Sequence, residues 1–232
     1  MTGRWVRISL VLCLLLTTAA RARAQATTDA PPSESRVRSA LLFLAGAMSG
    51  LVAHEGGHII TGFAFDAHPR ARRLDYGPIP FFSIQHDPVS RRKEFVIASS
   101  GFWIQHAGSE WLLTKRPNLA RERAPFLKGV LVFNLAASVV YSAAAFGRFG
   151  PPERDTRAMA VSLGKDGVGE PVIGVLILAP AALDGYRYLR PGSTWAKWAS
   201  RGAKITAVAL TIAAGRHEGS EGVKVMKKTK PS

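Results

Sequence analysis

The sequence predicts an all-α multi-span membrane protein, with about four transmembrane or re-entrant helices and a short membrane-associated β or loop segment. Three observations carry that expectation. Apolar stretches recur along the chain, basic residues gather between them, and one stretch holds three ionisable side chains at helical spacing. A spanning helix needs about 20 predominantly apolar residues. Residues 39–65, 95–113, 127–147 and 171–189 each approach or exceed that length.

Each stretch has its own character. The only titratable groups of 39–65 are His54, Glu55 and His58. Residues 95–113 contain Gln105, His106 and Glu110, and 127–147 hold a single charge, Lys128, at their start. A soluble helix shows a polar stripe opposite its apolar face, and no charged stripe runs along 127–147. Residues 171–189 are interrupted late by Asp184 and Arg187. A shorter apolar run follows Trp195 and Trp198, and 191–216 reads as an interfacial or short terminal helix.

The chain carries 31 Lys and Arg against 16 Asp and Glu, a formal charge of +15. Such an excess also suits nucleic-acid binders, but no aromatic–basic interleaving or groove-reading motif accompanies it. Nucleic acid is therefore not an expected partner. Arg70, Arg72, Arg73, Arg91, Arg92 and Lys93 flank the first pair of apolar stretches, and Lys115, Arg116, Arg121, Arg123 and Lys128 fill the next connection. Those are juxtamembrane positions, where basic groups set topology and meet anionic lipid. The expected surroundings are a lipid bilayer, with the chain as a multi-pass protein of a bacterial cytoplasmic membrane.

Domain limits follow. Residues 1–24 read as a signal peptide: Arg4 and Arg7 precede the apolar run 8–20, and Ala22-Arg23-Ala24 supplies small residues at a cleavage spacing. Residues 25–38 form a flexible leader, 39–190 the membrane core, and 217–232 a basic tail. The one cysteine, Cys13, falls in the signal segment. Disulfide frameworks and cysteine-based metal sites are thereby excluded. Between the first two apolar stretches, Pro78 and Pro80 forbid helix and 81–85 reads as a short strand.

His54-Glu55-Gly56-Gly57-His58 is the H-E-x-x-H pattern. On a helix, positions i and i+4 share a face, so both imidazoles reach one cation. The adjoining glutamate can take a proton from an attacking water. Ionisable groups inside an apolar span are expensive and are read as functional. A catalytic zinc needs three protein ligands and one open position. For the third, Asp184 stands after Pro180 and before Gly185; the plainer reading pairs it with Arg187. His106 and Glu110, also i and i+4, are the second choice; the plainer reading makes them a hydrogen-bonded pair that packs helices.

The first motif in an apolar helix, followed downstream by Leu183-Asp184-Gly185 after a proline, resembles the site-2 protease family of intramembrane zinc metalloproteases. The resemblance covers roughly residues 39–190. It implies Zn2+ as cofactor, His54, His58 and Asp184 as ligands, Glu55 as general base, and a membrane-protein or peptide substrate. It also likens Ala98-Ser99-Ser100-Gly101-Phe102 to the small-residue start of the family's next helix, and 74–86 to its substrate-presenting β-structure. The chain departs from the family at Leu176, near the place of an asparagine, and at Tyr186, where a second glycine is common. It also has no PDZ-like insert.

Geometry constrains the third ligand. If the leader starts outside, 39–65 runs inward and carries His54 and His58 toward its inner end. Asp184 reaches them only if 171–189 also runs inward, so one intervening stretch must not cross. Residues 95–113, with Gln105, His106 and Glu110, are the expected re-entrant piece and cleft lining. If both stretches cross, Asp184 fails and Glu110 or His106 takes its place. The competing function is a non-catalytic membrane scaffold or substrate-capture protein that keeps the outline of the metal site. A di-iron oxidase is disfavoured, because Glu55-x-x-His58 has no second Glu-x-x-His in the chain.

Overall fold

The structure, a computed structural model, describes residues 33–76, 79–164 and 169–210. The expected signal segment, most of the expected leader and the expected basic tail lie outside the described residues. The chain divides into two compact units, Met1–Arg38 and Ser39–Ser232. Of the first, residues 33–38 are described, as opening turns of a helix.

The described elements are α1 (Ser33–Ala64), β1 (Arg70–Tyr76), β2 (Ile79–Gln85), α2 (Arg91–Lys115), α3 (Pro125–Gly147), α4 (Asp155–Ser162), α5 (Gly169–Leu189) and α6 (residues 194–210). Three of them, over Arg36–Ala64, Pro125–Gly147 and Gly169–Leu189, are long and apolar enough to cross a membrane. Their outer faces agree with such surroundings: Leu44, Met48, Val52, Ile60 and Phe63 of α1 are exposed, as are Val139 and Val140 of α3 and Val172 and Val175 of α5. Contiguous exposed apolar surface of that kind marks contact with lipid or a partner.

Local chemistry sets the element ends. Ser90 has extended backbone and its side chain accepts from Lys93 N–H at 3.4 Å, capping α2. Pro125 opens α3, where its missing N–H costs nothing. Pro80 of β2 sits in a two-stranded antiparallel ribbon with Arg70 opposite Gln85 and Tyr76 opposite Ile79, while Pro78 lies outside the described residues. Every position of such a ribbon is on an edge, which is where proline is tolerated. Helix α1 begins at Ser33, so the last residues of the expected leader are helical.

Contacts along the helices fix their directions. His54 of α1 lies over Gly101 of α2, and His58 over Ile97, so α1 and α2 are antiparallel. Phe102 meets Tyr141, and Gln105 meets Asn134, so α2 and α3 are antiparallel too. Ser142 donates to the Gly174 carbonyl at 2.9 Å, and Leu135 lies beside Gly185, which reverses α5 again. Direct contacts between α1 and α3 agree: Gly46 abuts Phe126 and Gly50 abuts Phe133, as parallel helices require. The C-terminal ends of α1 and α3 therefore meet the N-terminal ends of α2 and α5. The opposite end gathers the C-terminal ends of α2 and α5 with α6.

Residues 95–113 belong, as expected, to a helix that is not among those long and apolar enough to cross a membrane, but that helix has no re-entrant break. Helix α2 is continuous over 25 residues and packs along both neighbours. Its polar residues face the bundle: Asn134 Nδ2 donates to the Gln105 carbonyl and to Ser109 Oγ, each at 3.1 Å. Such hydrogen bonds tie helices together where water is scarce.

Small residues let the helices approach. A Cβ on Gly129 would stand 2.0 Å from the Phe43 carbonyl oxygen, and one on Gly46 1.9 Å from that of Phe126. Neither backbone can yield without parting α1 from α3. Gly129→Ala is expected to lower stability by about 1–3 kcal/mol, the usual range for overpacking. By contrast Gly202 of α6 faces open space, and Gly202→Ala is expected to be neutral or stabilising by up to about 1 kcal/mol. Thermal unfolding in detergent compares the two.

Candidate metal centre

The H-E-x-x-H pattern forms a continuous part of α1, and both histidines are almost fully buried. Gly101 makes room for the first: a Cβ there would lie 2.6–2.7 Å from three atoms of the His54 ring. Gly57 does the same for the helix pair, since its Cβ would meet the Ser100 backbone at 3.0 Å. Gly56 faces open space, so close approach explains only one of the two glycines. The small-residue run Ala98–Gly101 is thus the surface on which the histidines rest.

His58 Nδ1 donates to the Ile97 carbonyl at 2.8 Å. With Nδ1 bonded to Ile97, Nε2 is the nitrogen turned toward the site, where a metal would displace any proton it carries. His58 Nε2 faces His54 Nε2 at 3.3 Å, and Asp155 Oδ2 completes the group at 3.3 Å from His54 Nε2 and 3.5 Å from His58 Nε2. Among the described residues these three alone form a set of His, Cys, Asp and Glu close enough to hold an ion.

The triangle fits a tetrahedral metal. Ligand atoms at about 2.0–2.1 Å from zinc stand about 3.3–3.4 Å apart, close to the separations found here. A mixed nitrogen and oxygen donor set with three protein ligands matches zinc sites that keep a fourth position for water. His54 Nδ1, on the side of the ring away from the triangle, is buried with no partner among the described residues. Asp155 is ionised: burial raises its pKa, but the charges of and hydrogen bonds from His58 and His54 outweigh that and hold it well below the usual carboxylate range.

Asp155 opens α4, a short helix absent from the sequence-based expectation. Its two neighbours anchor it. Arg154 Nε and Nη2 grip Glu170 Oε1 and Oε2 at 2.6 and 2.8 Å, and Thr156 Oγ1 donates to Glu170 Oε1 at 3.0 Å. Glu170 is buried at the start of α5, so a bidentate ion pair flanks the ligand and pins the α4 entry to the bundle. From the other side the Tyr141 hydroxyl hydrogen-bonds the Asp155 carboxylate. The Tyr141 ring lies 5.8 Å from that of His54, and Phe102 packs edge-on against both. Glu55 is half-buried and within electrostatic reach of both histidines and Asp155.

Asp184 is elsewhere. It lies toward the C-terminal end of α5, at the opposite end of the bundle, and is fully buried. Ser200 Oγ donates to its Oδ1 at 2.6 Å, Lys204 Nζ at 2.8 Å and Arg187 Nη1 at 3.2 Å. The plainer reading of Asp184, an acid paired with Arg187, is the one the geometry favours. The reason is the helix count: with α2 and α3 both running the length of the bundle, α5 opposes α1. Glu110 does not substitute for it. It accepts from Arg187, from Arg201 Nε at 2.8 Å and from Lys204 Nζ at 2.9 Å, which binds α2, α5 and α6 into one ionic network. His106 and Gln105 are buried in α2 outside the metal triangle.

No protein-family model matches this chain, and no curated protein or solved structure matches it either. The site is therefore read from its own chemistry. Asp155, Tyr141 and Glu170 escaped the sequence reading. The available signal for Asp155 was its place in the connection between the last two apolar stretches, which returns to the histidine end because α2 and α3 each run the length of the bundle.

Asp155→Asn removes one anionic ligand and is expected to leave purified protein with less than about a tenth of an equivalent of zinc after dialysis. Asp184→Asn is expected to retain the metal while lowering the melting temperature, since it strips charge from a buried network. Glu170→Gln, which acts through Arg154 and Thr156, is expected to weaken zinc affinity about 10-fold. Metal content by mass spectrometry and a competitive chelator titration read all three.

Proposed function

We propose that the protein is a membrane-embedded zinc-dependent hydrolase that cleaves peptide bonds, with His54, His58 and Asp155 as ligands and Glu55 as general base. The observation that carries the reading is the triangle of Nε2, Nε2 and Oδ2 atoms, with a glutamate on the same helical turn. Three apolar helices support a membrane setting, and three protein ligands are the number that catalytic zinc sites use.

Zinc held there supplies Lewis acidity, polarising a carbonyl and acidifying water. The residues of the chain do the rest. Glu55 accepts the proton of the attacking water and returns it to the leaving amine. The hydrogen bond from His58 to Ile97 fixes the ring that faces the reacting atoms. Asp155 brings the charge of the two imidazoles and one cation closer to neutral. Phe102 and Tyr141 cover His54 and keep bulk water from one side of the site.

A membrane-protein or peptide segment is the substrate class that suits a site among apolar helices. Its backbone must be extended to expose a carbonyl. The two-stranded ribbon follows α1 directly and presents unpaired strand edges, a surface able to hold extended backbone.

One observation favours the second reading, a scaffold that keeps the metal but not the chemistry: both imidazoles are nearly sealed from solvent. Glu55→Gln separates the readings. In the full chain in detergent micelles, quenched fluorescent peptides are the substrate, and zinc content is measured on the same sample. The hydrolase reading expects zinc to stay at about one equivalent and cleavage to fall at least about 100-fold. Equal hydrolysis by wild type and variant, or none by zinc-loaded wild type, supports the scaffold.

A further inference from the structure

The end of the bundle farthest from the histidines carries a second feature that the metal chemistry does not use. A basin of about 610 Å³ opens between the α2–α3 connection and the turn that joins α5 to α6. Asn118 and Arg121 line it from the first side, and Tyr186, Arg190 and Ser193 from the second. No acid lines it. Neither guanidinium has an ionic partner among the described residues. The acid next to Arg121, Glu122, is occupied by Arg116 at 3.1 Å.

Two further observations point to an anion with an apolar body. Ser193 Oγ is buried and has no hydrogen-bond partner among the described residues, although it directly precedes α6. Ser193 and the first turn of α6 thus adjoin the space that the two arginines line. The rim is apolar and aromatic: Leu189 and Pro191 line the basin, and Tyr186 stacks on Trp195 with ring centroids 5.1 Å apart. Leu189, Trp195 and Trp198 are each at least 60% exposed. Exposed tryptophans at the end of an apolar bundle are what a membrane interface selects.

The geometry points to a binding site for the phosphate-bearing headgroup of an anionic membrane lipid, held by Arg121, Arg190 and Ser193 with its acyl chains along Leu189 and Trp195. Arginine suits the role because its planar fork meets two phosphate oxygens at once. A free phosphate would satisfy the same donors but leave the apolar rim bare. Basic pockets between membrane helices recognise lipid headgroups by this combination.

The test uses the full chain in detergent, titrated with short-chain phosphatidylglycerol and, separately, with phosphatidylcholine and with inorganic phosphate. Native mass spectrometry counts the bound molecules. Phosphatidylglycerol is expected to bind in preference to the other two. The double variant Arg121→Gln with Arg190→Gln is expected to lose about 10-fold in phosphatidylglycerol affinity. Ser193→Ala is expected to lose about 3-fold. Arg123→Gln, a nearby charge that does not line the basin, is expected to bind as wild type does. Zinc content is expected to be the same in all of them, which keeps the result independent of the metal site. Unchanged phosphatidylglycerol binding in the double variant overturns the assignment, and so does inorganic phosphate binding as tightly as the lipid. An equal loss in Arg123→Gln also overturns it, because general surface charge would then account for the binding.

Discussion

Two imidazole nitrogens and one carboxylate oxygen converge within 3.5 Å inside a bundle whose neighbouring walls are phenylalanine, glycine and small polar residues. In so dry a place each polar atom must find a partner or carry the cost of burial. A single cation satisfies all three at once. Much of the surrounding structure reads as support for that convergence. Gly101 clears the space for His54, Ile97 orients the ring of His58, and Glu170 holds Arg154 and Thr156 so that Asp155 between them has one position.

The bundle also separates two kinds of buried charge. At the histidine end His54, His58 and Asp155 lie close enough together to hold an ion. At the far end Glu110 and Asp184 meet Arg187, Arg201 and Lys204 in a network that closes on itself. The second group links α2, α5 and α6 and pairs each of its acids with more than one cation. Buried ion networks of this sort specify geometry more than they add stability. The far end thus sets how the helices dock, which in turn places α3 and α5 to deliver Asp155.

Much of this was legible in the residues. The apolar stretches became α1, α2, α3 and α5 within a few residues, because length and the absence of charge are strong signals for long helices. The prolines at 78 and 80 marked a non-helical segment, and Pro80 stands in a strand of the two-stranded ribbon. His54 and His58 were placed on one face by spacing alone. What spacing could not supply was the third ligand. Asp184 attracted attention because it lies inside an apolar run, yet an acid in such a run is equally well explained by a lysine and an arginine nearby, and tertiary packing brings both. Asp155 sits in a connection with Glu153 and Arg154, where acids usually meet water. Its neighbours reveal its role only after Glu170 folds back onto them. Tyr141 was hidden for the same reason, as one hydroxyl among several polar groups on a mostly apolar helix.

X-ray absorption at the zinc edge of the purified full chain tests the triangle most directly. Four-coordinate zinc with two imidazole ligands and light oxygen or nitrogen neighbours at about 2.0–2.1 Å is the predicted spectrum. An oxygen-only, six-coordinate ion with no imidazole scattering would contradict it, because the two histidines would then hold no metal.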